Sequence, residues 1–325
     1  NIGAAVGVSL YLSQAISIAF YIIAFAEAFQ PVQEFLYQNY GIPIFDKRLI
    51  SIPVMAIISA IVLIRGANLG MKALYLVAGI LGISLVLFFL GKSANPVPSN
   101  ALYSGVEEPA DFFFVFTIIF PAFTGLAAGL GLSGELKDPT RAIPRGTLLA
   151  TVVGFVVYLA VGYKLAVSFS PEELADPSNG LIMQRLAVWG PIIPIGLAAA
   201  SISSALGSIL VAPRTLQAVG ADKILPNTFL NKYFAKIKPE NNEPRNASLL
   251  SIIIAFFFIA IGSIEFVAQI ISMFFMVTYG AICLVSLLEN FAADPSYRPT
   301  FHSRWYISLI GTVLSFWLMF KMNTP

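Results

Sequence analysis

The stretch that decides the fold is residues 115–134, VFTIIFPAFTGLAAGLGLSG, in which a proline and several glycines interrupt an apolar helical pattern. Pro121 has no N–H and its ring crowds the carbonyl four residues earlier, so the Thr117 carbonyl loses its helical partner. The glycines that follow add backbone freedom where a simple lipid-facing helix would carry Leu or Ile. The stretch therefore predicts a helix that breaks near Pro121, with Thr124 adding a hydroxyl at the break.

A broken helix exposes carbonyl groups at the end of its first half and N–H groups at the start of its second half. In mid-membrane, these opposite dipoles would create a cation site beside an anion site. The alternative is purely structural, because Pro and Gly are common in transmembrane helices and neighbouring groups often satisfy the freed backbone. The stretch alone leaves both interpretations open.

The composition places this stretch in a membrane protein. Of 325 residues, 58% are hydrophobic and 11% are charged, and the mean hydropathy is +0.83. Soluble domains carry about 25% charged residues, so most of this surface must face lipid. A net charge of +2 argues against nucleic-acid binding, while a single cysteine, Cys283, and a single histidine, His302, argue against disulfide scaffolds, zinc sites and catalytic triads.

A bilayer core needs about 20 mostly apolar residues per helix, and nine stretches approach or exceed this length. They are residues 2–29, 49–64, 73–91, 112–134, 146–163, 186–213, 246–264, 266–288 and 305–320. The seventh and eighth are separated only by Glu265, which is interpreted as a tight turn outside the membrane. Most Lys and Arg residues fall in cytoplasmic loops if the first segment begins in the cytoplasm. We expect one integral membrane domain over residues 1–325, and its start inside an apolar segment indicates a piece of a longer protein.

Polar side chains inside three of the spans are further candidates for ion contacts. Ala200, Ser203 and Ser204 share one helical face, and their oxygens suit a small hard cation. Packing is the alternative, because small residues let helices approach and Ser hydroxyls often bond to their own helix. Tyr21 and Tyr279 lie near mid-span, where a phenol needs either an ion or a structural hydrogen-bond partner. Glu27, near the outer end of the first span, is either an ion ligand or a carboxylate that reaches the interface.

At these residues the sequence resembles the cation-chloride cotransporters, in the sodium-potassium-chloride-like branch of the amino acid-polyamine-organocation superfamily. Five segments carry the resemblance in family order. They are FPAFTGLAAGLGLSGELKDPTRAIPRGTLLA at 120–150, SSALGSILVAPRTLQAVGADKILP at 203–226, NNEPRNASLL at 241–250, IISMFFMVTYGAICLVSLL at 270–288 and YRPTF at 297–301.

The resemblance implies an all-α integral membrane protein with the LeuT-type inverted-repeat fold. This chain would match the third to eleventh helices, so the first two helices of the fold are missing. Residues 1–91 would form an incomplete first repeat, residues 112–293 a complete second repeat, and residues 301–321 an additional helix. Because the other broken helix of the family lies in the missing part, this chain alone is not expected to transport.

The resemblance also implies three ion-binding positions, each carried over residue by residue. The potassium position comprises Tyr21, Pro121 and Thr124. The sodium position comprises Ala200, Ser203 and Ser204. The chloride position comprises Gly125, Leu126, Ala127 and Tyr279.

The function implied is secondary active, electroneutral symport of sodium, potassium and chloride by alternating access, in the plasma membrane. Two alternatives stay open: a sodium-coupled amino acid permease of the same superfamily, and a non-transporting membrane partner of a related carrier. We expect no cofactor, no transition metal, no enzyme activity and no nucleic-acid partner. The expected partners are the lipid bilayer and the inorganic ions, and the resemblance allows a homodimer.

Overall fold

The computed structural model describes residues 2–43, 45–65, 70–93, 110–125, 136–176, 179–237, 244–292 and 303–322, and all regular structure in these ranges is helical. Short 3₁₀ helices cover Phe120–Phe123 and Ile182–Arg185. The α-helices, in chain order, are α1 (Ile2–Glu27), α2 (Gln30–Tyr40), α3 (Arg48–Arg65), α4 (Gly70–Leu90), α5 (Phe112–Ile119), α6 (Pro139–Ser168), α7 (Pro171–Ala175), α8 (Ile192–Ala221), α9 (Thr228–Phe234), α10 (Arg245–Ile261), α11 (Ile264–Ala292) and α12 (Trp305–Met322).

Several of these helices are apolar and long enough to cross a bilayer. Five segments of at least 18 residues qualify by length and hydropathy: the α1–α2 segment, α6, α8, α11 and α12. Four shorter apolar helical segments have 10–17 residues each. They lie in α3, in α4, in α5 with its 3₁₀ extension, and in α10. The structure thus agrees with an all-helical membrane protein, while nine spans and the inverted-repeat architecture stay predictions.

The first helix, α1, forms the centre of the bundle. Its residues Ala15, Ile18, Ala19 and Ile22 are completely buried. A helix at the edge of a membrane bundle would instead expose such apolar residues to lipid. Ile18, Ala19 and Ile22 pack in one apolar cluster with side chains of α3, α8, α10 and α11. Ala15 packs in a second cluster with side chains of α8 and α10. The bundle therefore holds α1 rigidly from several sides, which fixes any functional group on this helix.

The turn between α10 and α11 lies three residues before the position predicted from the sequence. The chain reverses at Gly262, whose φ of +79° is a left-handed conformation that favours glycine. Ser263 then accepts a hydrogen bond from the Phe266 N–H, and Glu265 lies in the first turn of α11. The prediction that Glu265 forms the turn was therefore wrong, because the acidic residue stabilises a helix start rather than the loop.

An ion pair joins the last residue of α1 to the residue that precedes α3. The Lys47 Nζ lies 2.8 Å from a Glu27 carboxylate oxygen. Of the two sequence-based readings of Glu27, this contact favours a carboxylate at the helix end with a nearby cation over an ion ligand deep in the bundle. A helix that the sequence did not predict, α2, follows α1 immediately and has Pro31 at its start.

Candidate ion-binding site

The helix predicted to break near Pro121 does break there. The α-helical part ends at Ile119, and residues 120–123 tighten into a single 3₁₀ turn. Thr124 follows with an extended backbone, and Gly125 has a φ of +104°, which favours glycine at this position. The proline starts the interruption, and the backbone leaves the helical conformation three residues later, at Thr124 and Gly125.

The break brings together the three residues of the predicted potassium position. The Thr124 hydroxyl donates to the Pro121 carbonyl oxygen over 2.6 Å. The Tyr21 side chain, from α1, interacts with the side chain of Thr124. Two hydroxyls and a carbonyl provide oxygen atoms of the kind that coordinate alkali cations. We call Tyr21, Pro121, Thr124, Gly125 and Tyr279 the break cluster.

Two residues of the predicted chloride position, Gly125 and Tyr279, are joined by a hydrogen bond. The Gly125 N–H lies 3.2 Å from the hydroxyl oxygen of Tyr279, which reaches it from α11. Tyr279 is positioned by ring contacts with Phe275 of the same helix and with Phe120 of the 3₁₀ turn. Both groups, an N–H and an O–H, can donate to an anion. The two remaining residues of the predicted chloride position, Leu126 and Ala127, lie outside the described residues.

A residue that the sequence analysis missed holds the first half of the broken helix. The Ser272 hydroxyl of α11 donates to the Thr117 carbonyl over 2.8 Å, and both residues are buried. This carbonyl is the one deprived of a backbone partner by Pro121. Ser272 and Tyr279 are seven residues apart, so they lie two turns apart on the same face of α11. One helix therefore holds both sides of the break.

A cavity of about 360 Å³ opens between the break and α6. Residues 122–125 line one wall, and the other wall includes Thr147, Thr151 and Tyr158 of α6. The Tyr158 hydroxyl donates to the Ala122 carbonyl over 3.2 Å, which ties α6 to the 3₁₀ turn. Among the described residues, the cavity is lined by hydroxyls, backbone groups and apolar side chains without a charged group. Hydroxyl and backbone dipoles of this kind can interact with ions of either sign.

The predicted sodium residues lie on a separate helix. Ala200, Ser203 and Ser204 are on α8, which packs along the length of α1. All three are partly buried. Within the described part of the chain, no hydrogen bond joins Ser203 or Ser204 to the break cluster or to the carbonyls of α8. Their hydroxyls thus differ from those of Ser17 and Ser251, which bond to carbonyls of their own helices.

In the part of the chain that the structure covers, no group of three His, Cys, Asp or Glu side chains is arranged to hold a metal ion. The arrangement that the structure does contain is a set of hydroxyl oxygens, carbonyls and N–H groups at an interrupted helix. Such groups replace the water around small ions without any covalent step.

Comparison with known proteins identifies the family. The model of the family described as "Amino acid permease" matches residues 1–324. The chain belongs to the amino acid permease family. The match includes every helix that the structure describes. It confirms the superfamily that the sequence resembles.

Individual relatives point to the cation-chloride branch. Solute carrier family 12 member 2 of Squalus acanthias is 30% identical over 377 residues, covering 99% of this chain and 31% of the relative. The protein of the same name from Mus musculus is 31% identical over 375 residues, covering 99% and 30%. Potassium/chloride cotransporter 3 of Caenorhabditis elegans is 31% identical over 226 residues, covering 67% and 21%.

These relatives confirm the resemblance to cation-chloride cotransporters that the five sequence segments indicate. They are transporters by name, so the family is one of transporters rather than enzymes, as predicted. The chain spans about a third of the length of the first of these relatives. The activity and the substrates of the whole protein are therefore matters for proposal.

Proposed function

We propose that the full-length protein is a secondary active symporter of the plasma membrane that carries sodium, potassium and chloride together by alternating access. The observation that carries the proposal is the break cluster. It gathers Tyr21, Thr124 and the Pro121 carbonyl on one side of the interrupted helix, and the Gly125 N–H and Tyr279 on the other. The proposed cation ligand Thr124 and the proposed anion ligand Gly125 are thus adjacent in the chain.

The proximity of the two kinds of ligand supports coupled binding. A cation near Thr124 would attract an anion near Gly125, because the described lining contains no charged side chain to balance either ion. Each ion would therefore raise the affinity for the other, as reciprocal linkage requires. Sodium would bind at Ala200, Ser203 and Ser204 on α8, where the hydroxyls are not engaged by their own helix.

Electroneutrality has a measurable energetic consequence. An uncompensated charge would gain or lose about 2.3 kcal/mol per 100 mV of membrane potential. A load of one sodium, one potassium and two chlorides has no net charge, so the membrane potential does not change its transport free energy. Its direction then depends on the summed concentration ratios, at about 1.4 kcal/mol per tenfold ratio for each ion.

Flux into proteoliposomes of the full-length protein tests the proposal. Labelled rubidium replaces potassium, while external sodium is replaced by a large organic cation and chloride by gluconate, one at a time. We expect uptake to require both ions and to be unchanged by a membrane potential imposed with a pH gradient and a protonophore. Uptake indifferent to chloride would refute the proposal.

The same preparation separates the two alternatives. Because the family is described as that of amino acid permeases, labelled amino acids form a second arm of the experiment. Sodium-driven amino acid uptake without a chloride requirement would establish the permease alternative. Absence of uptake in both arms, from protein that is folded and monodisperse, would favour a non-transporting partner of a related carrier.

A further inference from the structure

Among the residues that the structure describes, the Nε2 atom of one buried amide on α1 has no hydrogen-bond partner. Only 2% of the surface of Gln14 is exposed, and its Nε2 donates to no atom among the described residues. The neighbouring hydroxyls behave differently, since Ser13 donates to the Leu10 carbonyl and Ser17 donates to the Ser13 carbonyl. Native structures satisfy nearly all buried polar groups, and exceptions often have a functional role. The apolar surroundings of a membrane bundle strengthen this expectation.

The position of Gln14 relates it to the break cluster. It precedes Tyr21 by seven residues, so the two side chains leave α1 on the same face, about 10 Å apart along the helix. Ser17 lies between them on this face. Tyr21 contacts Thr124 at the break. Gln14, Ser17 and Tyr21 therefore form a polar column that leads from the break cluster toward the N-terminal end of α1.

The chemistry of the unpartnered atom determines the ion it would meet. An amide Nε2 carries two N–H donors and the positive end of the amide dipole, so it attracts an anion. A neutral donor binds an anion without the strong retention of a Lys or Arg, which suits an ion that must move on. The distance of about 10 Å to Tyr21 is too long for one ion to contact both residues.

We infer that the Gln14 side chain is a separate, transient chloride-binding position between the break cluster and the membrane face at which α1 begins. This inference rests on the proposed function. It adds a residue and a location to the anion pathway, and it explains why a bundle with a tightly packed centre retains an amide without a partner there.

The test uses the full-length protein in proteoliposomes and two variants that each remove a buried unpartnered group. Gln14→Leu keeps the approximate size of the side chain and removes both donors. Ser59→Ala is the matched control, because the Ser59 hydroxyl on α3 is also buried and without a partner among the described residues. The readouts are the KM for chloride, the KM for potassium at saturating chloride, and thermal stability in gluconate with and without added chloride.

We expect Gln14→Leu to raise the KM for chloride by about tenfold or more, since a hydrogen bond to an ion is lost. The KM for potassium at saturating chloride should equal that of the wild type. Stability in gluconate should rise, because an unsatisfied donor has been removed, while the stabilisation by chloride should shrink. Ser59→Ala should share the stability gain and leave the KM for chloride unchanged.

An unchanged KM for chloride in Gln14→Leu, with chloride-dependent uptake by the wild type, would overturn this inference and leave the proposed function standing. Gln14→Glu gives a second measurement, because it removes the donors and adds a carboxylate at nearly constant shape. Its KM for chloride should exceed that of Gln14→Leu, and a value equal to the wild type would also overturn the inference. Failure of the wild type to depend on chloride would instead refute the proposed function.

Discussion

Ser272 offers the sharpest test of how the broken helix is held. Its hydroxyl donates to the Thr117 carbonyl across 155 residues of sequence, and the two residues are 0% and 3% exposed. Pro121 has no N–H, so no backbone donor of the same helix can replace Ser272 at this carbonyl. Ser272→Ala therefore leaves a buried acceptor unsatisfied, which destabilises the protein by about 1–3 kcal/mol.

Thr278 supplies a matched control on the same helix. It is also completely buried, and its hydroxyl donates to the Phe274 carbonyl over 2.8 Å. That carbonyl keeps its backbone partner inside α11, so Thr278→Val is expected to lose less than about 1 kcal/mol. The free energies of unfolding are measured by SDS titration in mixed micelles, and rubidium uptake is measured in proteoliposomes. Ser272→Ala should also raise the KM for rubidium by roughly fivefold for each kcal/mol lost at the break.

Rescue by a conservative substitution separates the hydrogen bond from packing. Ser272→Thr keeps the hydroxyl, so it should recover most of the lost KM effect even if its extra methyl group lowers stability. If Ser272→Ala and Thr278→Val are equally stable and transport alike, the reasoning about the freed carbonyl is refuted.

Three further predictions concern the site and the turn outside it. Tyr279→Phe should raise the KM for chloride by about tenfold, because a hydroxyl donor is lost. The control Tyr163→Phe, at an exposed residue of α6, should leave this KM unchanged. Both are measured as chloride-dependent uptake. Ser203→Ala and Ser204→Ala should each raise the KM for sodium several-fold with the KM for potassium retained at saturating sodium; equal changes in both would contradict a local sodium site. Gly262→Ala should lower the free energy of unfolding by about 1–2 kcal/mol because its φ is +79°, and an unchanged SDS midpoint would contradict this strain argument.

The features predicted correctly from the sequence depend on local chemistry. Pro121 removes an N–H from its own helix wherever it occurs, so the break could be located within a few residues. Runs of apolar residues also indicated the helices from local chemistry. In lipid, the backbone groups of each segment must be paired within that segment, so an apolar run forms a helix. The juxtaposition of Tyr21, Thr124 and Tyr279 came from the family resemblance, and the structure brings these residues together.

The features that were missed depend on contacts between distant segments or on competing local signals. Ser272 looks like an ordinary serine in an apolar helix, and only packing of α11 on α5 shows which carbonyl it reaches. The reversal at Gly262 carried a signal, a glycine followed by a serine, which the charge of Glu265 obscured. The missing partner of Gln14 depends on every helix around α1, so no pattern within α1 predicts it.

Anomalous scattering tests the central claim most directly, namely that the break at residues 120–125 exposes backbone dipoles that bind ions. Three-dimensional crystals of the full-length protein would be prepared with rubidium and bromide in place of potassium and chloride. The account predicts a rubidium peak beside the Thr124 hydroxyl and the Pro121 carbonyl, and a bromide peak within reach of the Gly125 N–H and the Tyr279 hydroxyl. A continuous helix through Pro121, or a broken helix with both ions bound elsewhere, would contradict it.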